Sequence, residues 1–359
     1  MDERAVSARR RIATTAQLRG MFRGPSRTLD SMPPTWSRLA EVEPHLIHPE
    51  LADRAAQLSG VRIALSTNST EVRGQIDAEP GSTLSLTGPD FARTTQVRFD
   101  GSFAFAGLDS NQRTIELWLP HCVPSQLHSI DLSAGATIEA PQPSRFRWVC
   151  YGSSISQGNH VRAPHLSWPA LASRSLDADL RLLGFAGQAL GDTAVAMDIR
   201  DSDADLISIC LGINTHNAGS STLRTFWSQV AGFVQTVRER HEDTPLVLIS
   251  PIASPSREAV PASPRLLPSA VRRRVAMFND PRVRSVVGPT LTEIRDVVHE
   301  IGQDLADRSN GSVTLLDGRE LLGPQDHELL VDGLHPGERG SQRMAERFLA
   351  HVECTSLTP

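Results

Sequence analysis

Two short stretches, far apart in the chain, hold residue types that together could make a nucleophile. Trp148-Val149-Cys150-Tyr151-Gly152-Ser153-Ser154 is an apolar run that stops at Gly-Ser-Ser, and Val331-Asp332-Gly333-Leu334-His335-Pro336 sets an acid three residues before a histidine. A serine hydroxyl is a weak nucleophile until a neutral imidazole within hydrogen-bond reach accepts its proton. That imidazole needs an acceptor on its other nitrogen to hold the right tautomer. The pattern suggests a serine hydrolase with His335 as base and Asp332 as its orienter. Spacing alone leaves Ser153 and Ser154 equally eligible, and either also fits a helix N-cap, a position serine favours.

The elements that must position these residues change character near Pro141-Gln142-Pro143-Ser144, which reads as a domain boundary. After it, strand candidates Phe146 to Tyr151, Leu180 to Phe185, Leu206 to Leu211, Leu246 to Ser250 and Val313 to Leu316 alternate with helical stretches. Such alternation implies a parallel sheet with helices on both faces, whose ligands gather beyond the carboxyl ends of the strands. Before the boundary, short alternating runs (Val61 to Leu65, Thr83 to Leu86, Gln96 to Phe99, Ser102 to Phe105, Thr114 to Leu119) predict an antiparallel β-sandwich. Asp100-Gly101 reads as a two-residue type I′ hairpin turn. The expected organisation is therefore an N-terminal extension over 1–55, a β-sandwich over 56–142 and an α/β domain over 143–359. A long proline-rich connection, Ala253 to Asp280, has a length that is commonly functional or disordered, and its place after the fourth strand would let it overhang the site.

Across roughly residues 145 to 352 the chain resembles the SGNH hydrolases, the GDSL-type esterase and acylhydrolase superfamily. Gly152-Ser153-Ser154 matches the first block with Ser154 as nucleophile and Ser153 where aspartate is usual; Gly187 matches the second block's glycine, Asn214 the third block's asparagine, and Asp332-Gly333-Leu334-His335 the Asp-x-x-His block. The resemblance implies a three-layer, flavodoxin-like parallel sheet preceded by a β-sandwich similar to the jelly-roll domain of some esterases of this superfamily. It also implies an oxyanion hole built from the Ser154 N–H, the Gly187 N–H and the Asn214 amide. Each such donor contributes about 2.7–4 kcal/mol to the transition state. Ser153, His216 and Asn217 are possible pocket residues, although His216 and Asn217 fit a solvated loop equally well. His121, His128, His160, His165 and His299 show no partner pattern and read as structural or exposed.

Composition narrows the partners. With 36 Lys+Arg against 41 Asp+Glu, a formal charge of −5, the chain offers no basic field for nucleic acid. Arg272-Arg273-Arg274 could meet an anionic substrate or be a solvated face. No signal-peptide pattern and no membrane-spanning run stand out, so a soluble, cytoplasmic protein is expected. The four cysteines show no metal-ligand spacing and are expected to be reduced thiols. No metal or cofactor is expected; the partner is a small-molecule ester or acyl donor, and the oligomeric state is left open. Three functions compete: a carboxylic-ester hydrolase for short acyl groups, an acyltransferase using the same acyl-enzyme in small-molecule biosynthesis, and a non-catalytic glycan- or partner-binding protein.

Overall fold

Alternation of apolar and polar residues between Val61 and Leu132 builds two antiparallel sheets. One has the order β1 (Arg11–Ala13), β9 (Gln126–Leu132), β4 (Glu71–Asp77), β7 (Ser102–Ala106); the other β2 (Phe22–Arg23), β3 (Arg62–Thr67), β8 (Arg113–Trp118), β5 (Thr83–Thr87), β6 (Ala92–Gln96). Leu117 of β8 faces Ile63 on one side and Leu86 on the other. Their side chains join Val72, Ile76, Phe103, Ile130 and Leu132 of the first sheet in one buried cluster, as expected of a sandwich with one inward face per sheet.

The computed structural model describes residues 11–13, 18–25, 27–28, 36–40, 44–142, 144–219, 221–262 and 288–355. Most of the connection from Ala253 to Asp280, including Arg272-Arg273-Arg274, lies outside the described residues. The chain forms two units. One holds Ala56–Pro143 and Ala163–His165 with the residues before Leu39; the other holds Leu39–Ala55, Ser144–Arg162 and the chain from Leu166 onward.

The second unit is a five-stranded parallel sheet in the order β11 (Ala178–Gly184), β10 (Phe146–Gly152), β12 (Leu206–Cys210), β13 (Leu246–Ile249), β14 (Val313–Leu316). All five expected strands form, within a residue or two at their ends. Their near-continuous apolar sequences follow from burial on both faces. On one face Tyr151, Ile207, Ile209 and Leu248 pack with Phe226 and Phe233, Tyr151 stacking on Phe233 at 4.8 Å. On the other, Trp148, Leu180 and Ile249 pack with Trp168 and Phe348, Trp148 stacking on Phe348 at 4.9 Å. The result is a three-layer α/β fold. Leu39, Leu51 and Ala55, from helix α1 (Pro49–Ala55) and the residues before it, belong to the first of these two cores. Strand order reverses at β10, so the crevice for a ligand opens beyond the carboxyl ends of β10 and β12.

One local expectation fails. The Asp100-Gly101 turn forms, with Gly101 N–H donating to Arg98 O at 2.9 Å, but only Gly101 has positive φ. It is therefore not type I′, which needs positive φ at both central residues. The flanking strands also enter different sheets. The expected strand at Gln96 to Phe99 ends at Gln96, and Phe99 is 98% exposed. A turn signal fixes local backbone, whereas sheet membership is decided by distant pairing.

Candidate active site

Ser154 opens a single-turn helix, α2 (Ser154–Gln157), immediately beyond β10. Ser153 is its N-cap: its Oγ accepts from the Ile155 N–H at 3.3 Å. The two adjacent serines thus face different partners, and the hydroxyl near an imidazole is Ser154's. α2 lies close against the next strand because position 184 is glycine. A Cβ there would stand 2.6 Å from the backbone nitrogen of Gln157, a distance real contacts do not reach.

The other end of the constellation is built by Asp332. Its Oδ1 accepts from the backbone N–H groups of Leu334 (3.1 Å) and His335 (2.7 Å). This turn explains the three-residue spacing: two backbone bonds fix the carboxylate and leave Oδ2 for the ring. His335 Nδ1 donates to Oδ2 at 2.8 Å, so Nε2 is free to accept from Ser154 Oγ, 2.8 Å away. Burial pushes the Asp332 carboxyl up, but the backbone and ring bonds from His335, with that from Leu334, outweigh it and hold the group well below the usual carboxylate range.

Loop 185–189, after β11, is pinned almost throughout. Phe185 N–H donates to Gly152 O (2.8 Å) and Gln188 N–H to Phe185 O (3.0 Å). Ala186 N–H donates to Gln157 Oε1 (2.7 Å) and Ala189 N–H to Asn214 Oδ1 (3.0 Å). Among the described residues nothing accepts from the Gly187 N–H, which lies between these bonded neighbours. Gly187 has φ +74°, and a Cβ there would meet open space; glycine is required by conformation, not by crowding. Asn214 lies on helix α5 (Ile213–Ala218) beyond β12 and is 4% exposed. Its Oδ1 is committed to Ala189, which orients the amide and leaves its NH2 uncommitted among the described residues.

His216 and Asn217, on the same helix, look elsewhere: His216 Nε2 donates to Val260 O at 2.9 Å, and Asn217 Oδ1 accepts from Arg257 Nε at 3.0 Å. Burial holds the His216 imidazole below its ordinary value. Burial also pushes the Cys150 and Cys210 thiols up to about 12, which removes both as competing nucleophiles near neutrality.

His160, read from sequence as structural or exposed, is exposed and has in addition a specific partner. Its ring stacks on His335 at 4.7 Å with 23° between planes, and its Nε2 is 3.7 Å from Asp332 Oδ2. These three residues bring their ligand atoms within 4.8 Å of one another. Stacked, nearly parallel imidazoles keep their in-plane lone pairs in separate, nearly parallel planes, a poor arrangement for chelating one ion. His160 and Gln157 gave no sequence signal beyond nearness to Ser154. Ser250, His299 and Asp317 form a second serine–histidine–aspartate grouping, but Ser250 Oγ (3.1 Å) and Asp317 Oδ2 (3.5 Å) approach the same ring nitrogen. Ser250 is fully buried; that grouping ties the end of β13 to helix α7 (Leu291–Arg308).

Residues 150–343 match the model of the GDSL-like Lipase/Acylhydrolase family. The chain belongs to that family. No curated protein sequence matches it. Among solved structures, this GDSL-like chain is similar to SsfX3, a salicylyl-acyltransferase from a tetracycline biosynthetic pathway, with 28% identity, 98% of each chain covered and a TM-score of 0.82. A protein described as a GDSL-like lipase from Bacteroides ovatus matches at 19% identity over 97% of this chain and 98% of its own, TM-score 0.74. A family two carbohydrate esterase from Clostridium thermocellum matches at 16% over 84% and 94%, TM-score 0.61. The last two likenesses concern the fold alone. The family is one of acyl-transfer enzymes, esterases and acyltransferases, and no helix among the described residues is long and apolar enough to cross a membrane.

Proposed function

We propose that the protein is a serine esterase that cleaves a small carboxylic ester, with a short, acetyl-like acyl group, through an acyl-enzyme on Ser154. The observation that carries the reading is the unbroken chain Ser154 Oγ, His335 Nε2, His335 Nδ1, Asp332 Oδ2, with both links at 2.8 Å. As Ser154 Oγ forms its bond to the carbonyl carbon, His335 Nε2 takes the hydroxyl proton and Asp332 stabilises the imidazolium. The carbonyl oxygen gains negative charge, which the Ser154 N–H, the Gly187 N–H and the Asn214 NH2 receive. When the tetrahedral intermediate collapses, His335 returns the proton to the departing alcohol. Water activated by His335 then repeats the sequence and releases the acid. Ser154, Asp332 and His335 are the catalytic residues on this reading, and no step calls on a metal or organic cofactor.

A second reading, acyl transfer to an alcohol or amine, is favoured by one specific observation: the 28% likeness to SsfX3 spans 98% of both chains. Incubation with 4-nitrophenyl acetate, followed by intact-protein mass, tests both readings. An acetyl adduct that Ser154→Ala abolishes, cleared by water, supports hydrolysis. Clearance only when an acceptor is added supports transfer. No adduct and no release would leave the non-catalytic binding protein as the surviving reading.

A further inference from the structure

The loop after β13 carries a cation with no counter-ion among the described residues. Arg257 is half-buried, and among the described residues no carboxylate pairs with it. Glu258, next in the chain, gives both oxygens to the buried Arg295, at 2.8 and 3.0 Å. Three of the five Arg257 N–H groups are committed to neutral oxygens: Nε to Asn217 Oδ1 (3.0 Å), and Nη1 to Ser254 Oγ (3.0 Å) and Ser256 Oγ (3.1 Å). The two on Nη2 have no acceptor among the described residues. Partly desolvating a charge without a partner is costly, and folded chains seldom retain such a group unless something else completes it.

Its anchors say where it stands. Asn217 lies three residues after Asn214 on α5, a rise of about 4.5 Å. Ser254 Oγ donates onward to Gly333 O at 2.9 Å, in the turn between Asp332 and His335, two residues and at most about 7.6 Å from the His335 Cα. The guanidinium is thus fixed between the helix that carries the amide donor and the turn that carries the base. The His216 ring is close enough to feel its charge and is held below its ordinary pKa mainly by burial, so it adds no second cation near neutrality.

We propose that Arg257 anchors an anion subsite beside the acyl-transfer centre and takes a carboxylate carried by the substrate. A planar guanidinium held by three bonds is suited to a carboxylate because its remaining donors are already oriented when the substrate arrives. The inference rests on the esterase reading for its location, and it concerns the substrate class: an ester bearing a carboxylate on its acyl or its alcohol side.

Two matched pairs of esters test it. Mono(4-nitrophenyl) succinate against 4-nitrophenyl butanoate puts the charge on the acyl side; 4-acetoxybenzoate against its methyl ester puts it on the leaving group. In the wild type one charged ester is expected to exceed its neutral partner in kcat/KM, and the pair that does so identifies the side. Arg257→Gln should lower the charged-to-neutral ratio about 10- to 100-fold, the scale of one hydrogen bond to a charged group. Arg257→Lys should retain part of the ratio. Equal losses on charged and neutral esters would show a clamp between α5 and the turn, and overturn the subsite. Binding is measured separately by calorimetry of all four esters on Ser154→Ala with and without Arg257→Gln. Affinities of both charged esters unchanged by Arg257→Gln overturn the subsite even if the wild type turns over nothing, whereas absent turnover with the affinity of one charged ester lost overturns the esterase reading alone.

Discussion

Replacing Asn214 by alanine and by aspartate tests the proposed oxyanion site from two sides. The side chain is 4% exposed and its two ends have separate tasks: Oδ1 braces the Ala189 N–H at 3.0 Å, and the NH2 is left for the substrate. Alanine removes both. Loss of the NH2 should lower kcat about 10²- to 10³-fold, or 2.7–4 kcal/mol, with little change in KM, because the oxygen it serves becomes charged only in the transition state. Loss of the carbonyl strands a buried N–H, since Ala189 is 1% exposed, and should cost about 1–3 kcal/mol of stability. Aspartate keeps the acceptor but sets a carboxylate against the developing charge, so its kcat should be at least as low as alanine's. Its own burial penalty makes the melting temperature informative for alanine only. Initial rates of both variants with 4-nitrophenyl acetate and calorimetric melting of the alanine variant decide the matter. Wild-type kcat in either variant, or an effect confined to KM, would refute the role given to the amide.

Four further outcomes are expected. Ser154→Ala abolishes turnover with the fold intact, whereas Ser153→Ala keeps most activity and loses about 1 kcal/mol with its N-cap; the reverse pattern in a rate assay would move the nucleophile to Ser153. Because the Asp332 carboxyl is held below the usual range of about 4, its stabilising contribution is present above that pH and fades as pH falls through the lower folded value. Urea midpoints between pH 6 and pH 2 should therefore drop more steeply for the wild type than for Asp332→Asn, which should also lower kcat by up to about 10⁴-fold. His160→Ala should reduce kcat, while His160→Phe, which keeps the stacked ring, stays nearer the wild type; wild-type rates in both variants would make His160 a bystander. Leu51→Ala should destabilise the protein by about 2–5 kcal/mol, measured by denaturant unfolding, since Leu51 is fully buried in the core of the α/β unit.

The α/β sheet was legible because its strands are largely buried on both faces and therefore read as near-continuous apolar runs, and the residues just past β10, β11 and β12 could be found by counting from those runs. The sandwich was legible only in part. β4 and β9 escaped notice: Gly74 and the charged Glu71, Arg73 and Asp77 dilute one, and the other carries His128 beside a register shift between Leu127 and Ser129. Ser154 and Ser153 were separable in sequence only through the family motif. In space the hydroxyls differ plainly, one at an imidazole and one on its own helix. His160 and Arg257 were invisible for a common reason: the contacts that place them, His160 with His335 and Arg257 with Asn217, join distant elements, and nothing in local pattern encodes such contact. The segment around Leu39 to Ala55, proline-rich before it and weakly periodic, gave no sign that it fills the hydrolase-like core.

That segment has a consequence for how the molecule can be cut or recombined. The chain passes from the β-rich unit to the α/β unit at Leu39, returns at Ala56, crosses again at Ser144, and returns once more for Ala163–His165. A fragment starting at Ser144 would keep every proposed catalytic residue and still lack Leu39, Leu51 and Ala55. It would also lack Glu50, whose carboxylate accepts from Gln188 Nε2 beside Gly187 at 2.6 Å. The two units are plaited in chain order, so neither is a cassette that a single recombination event could lift out.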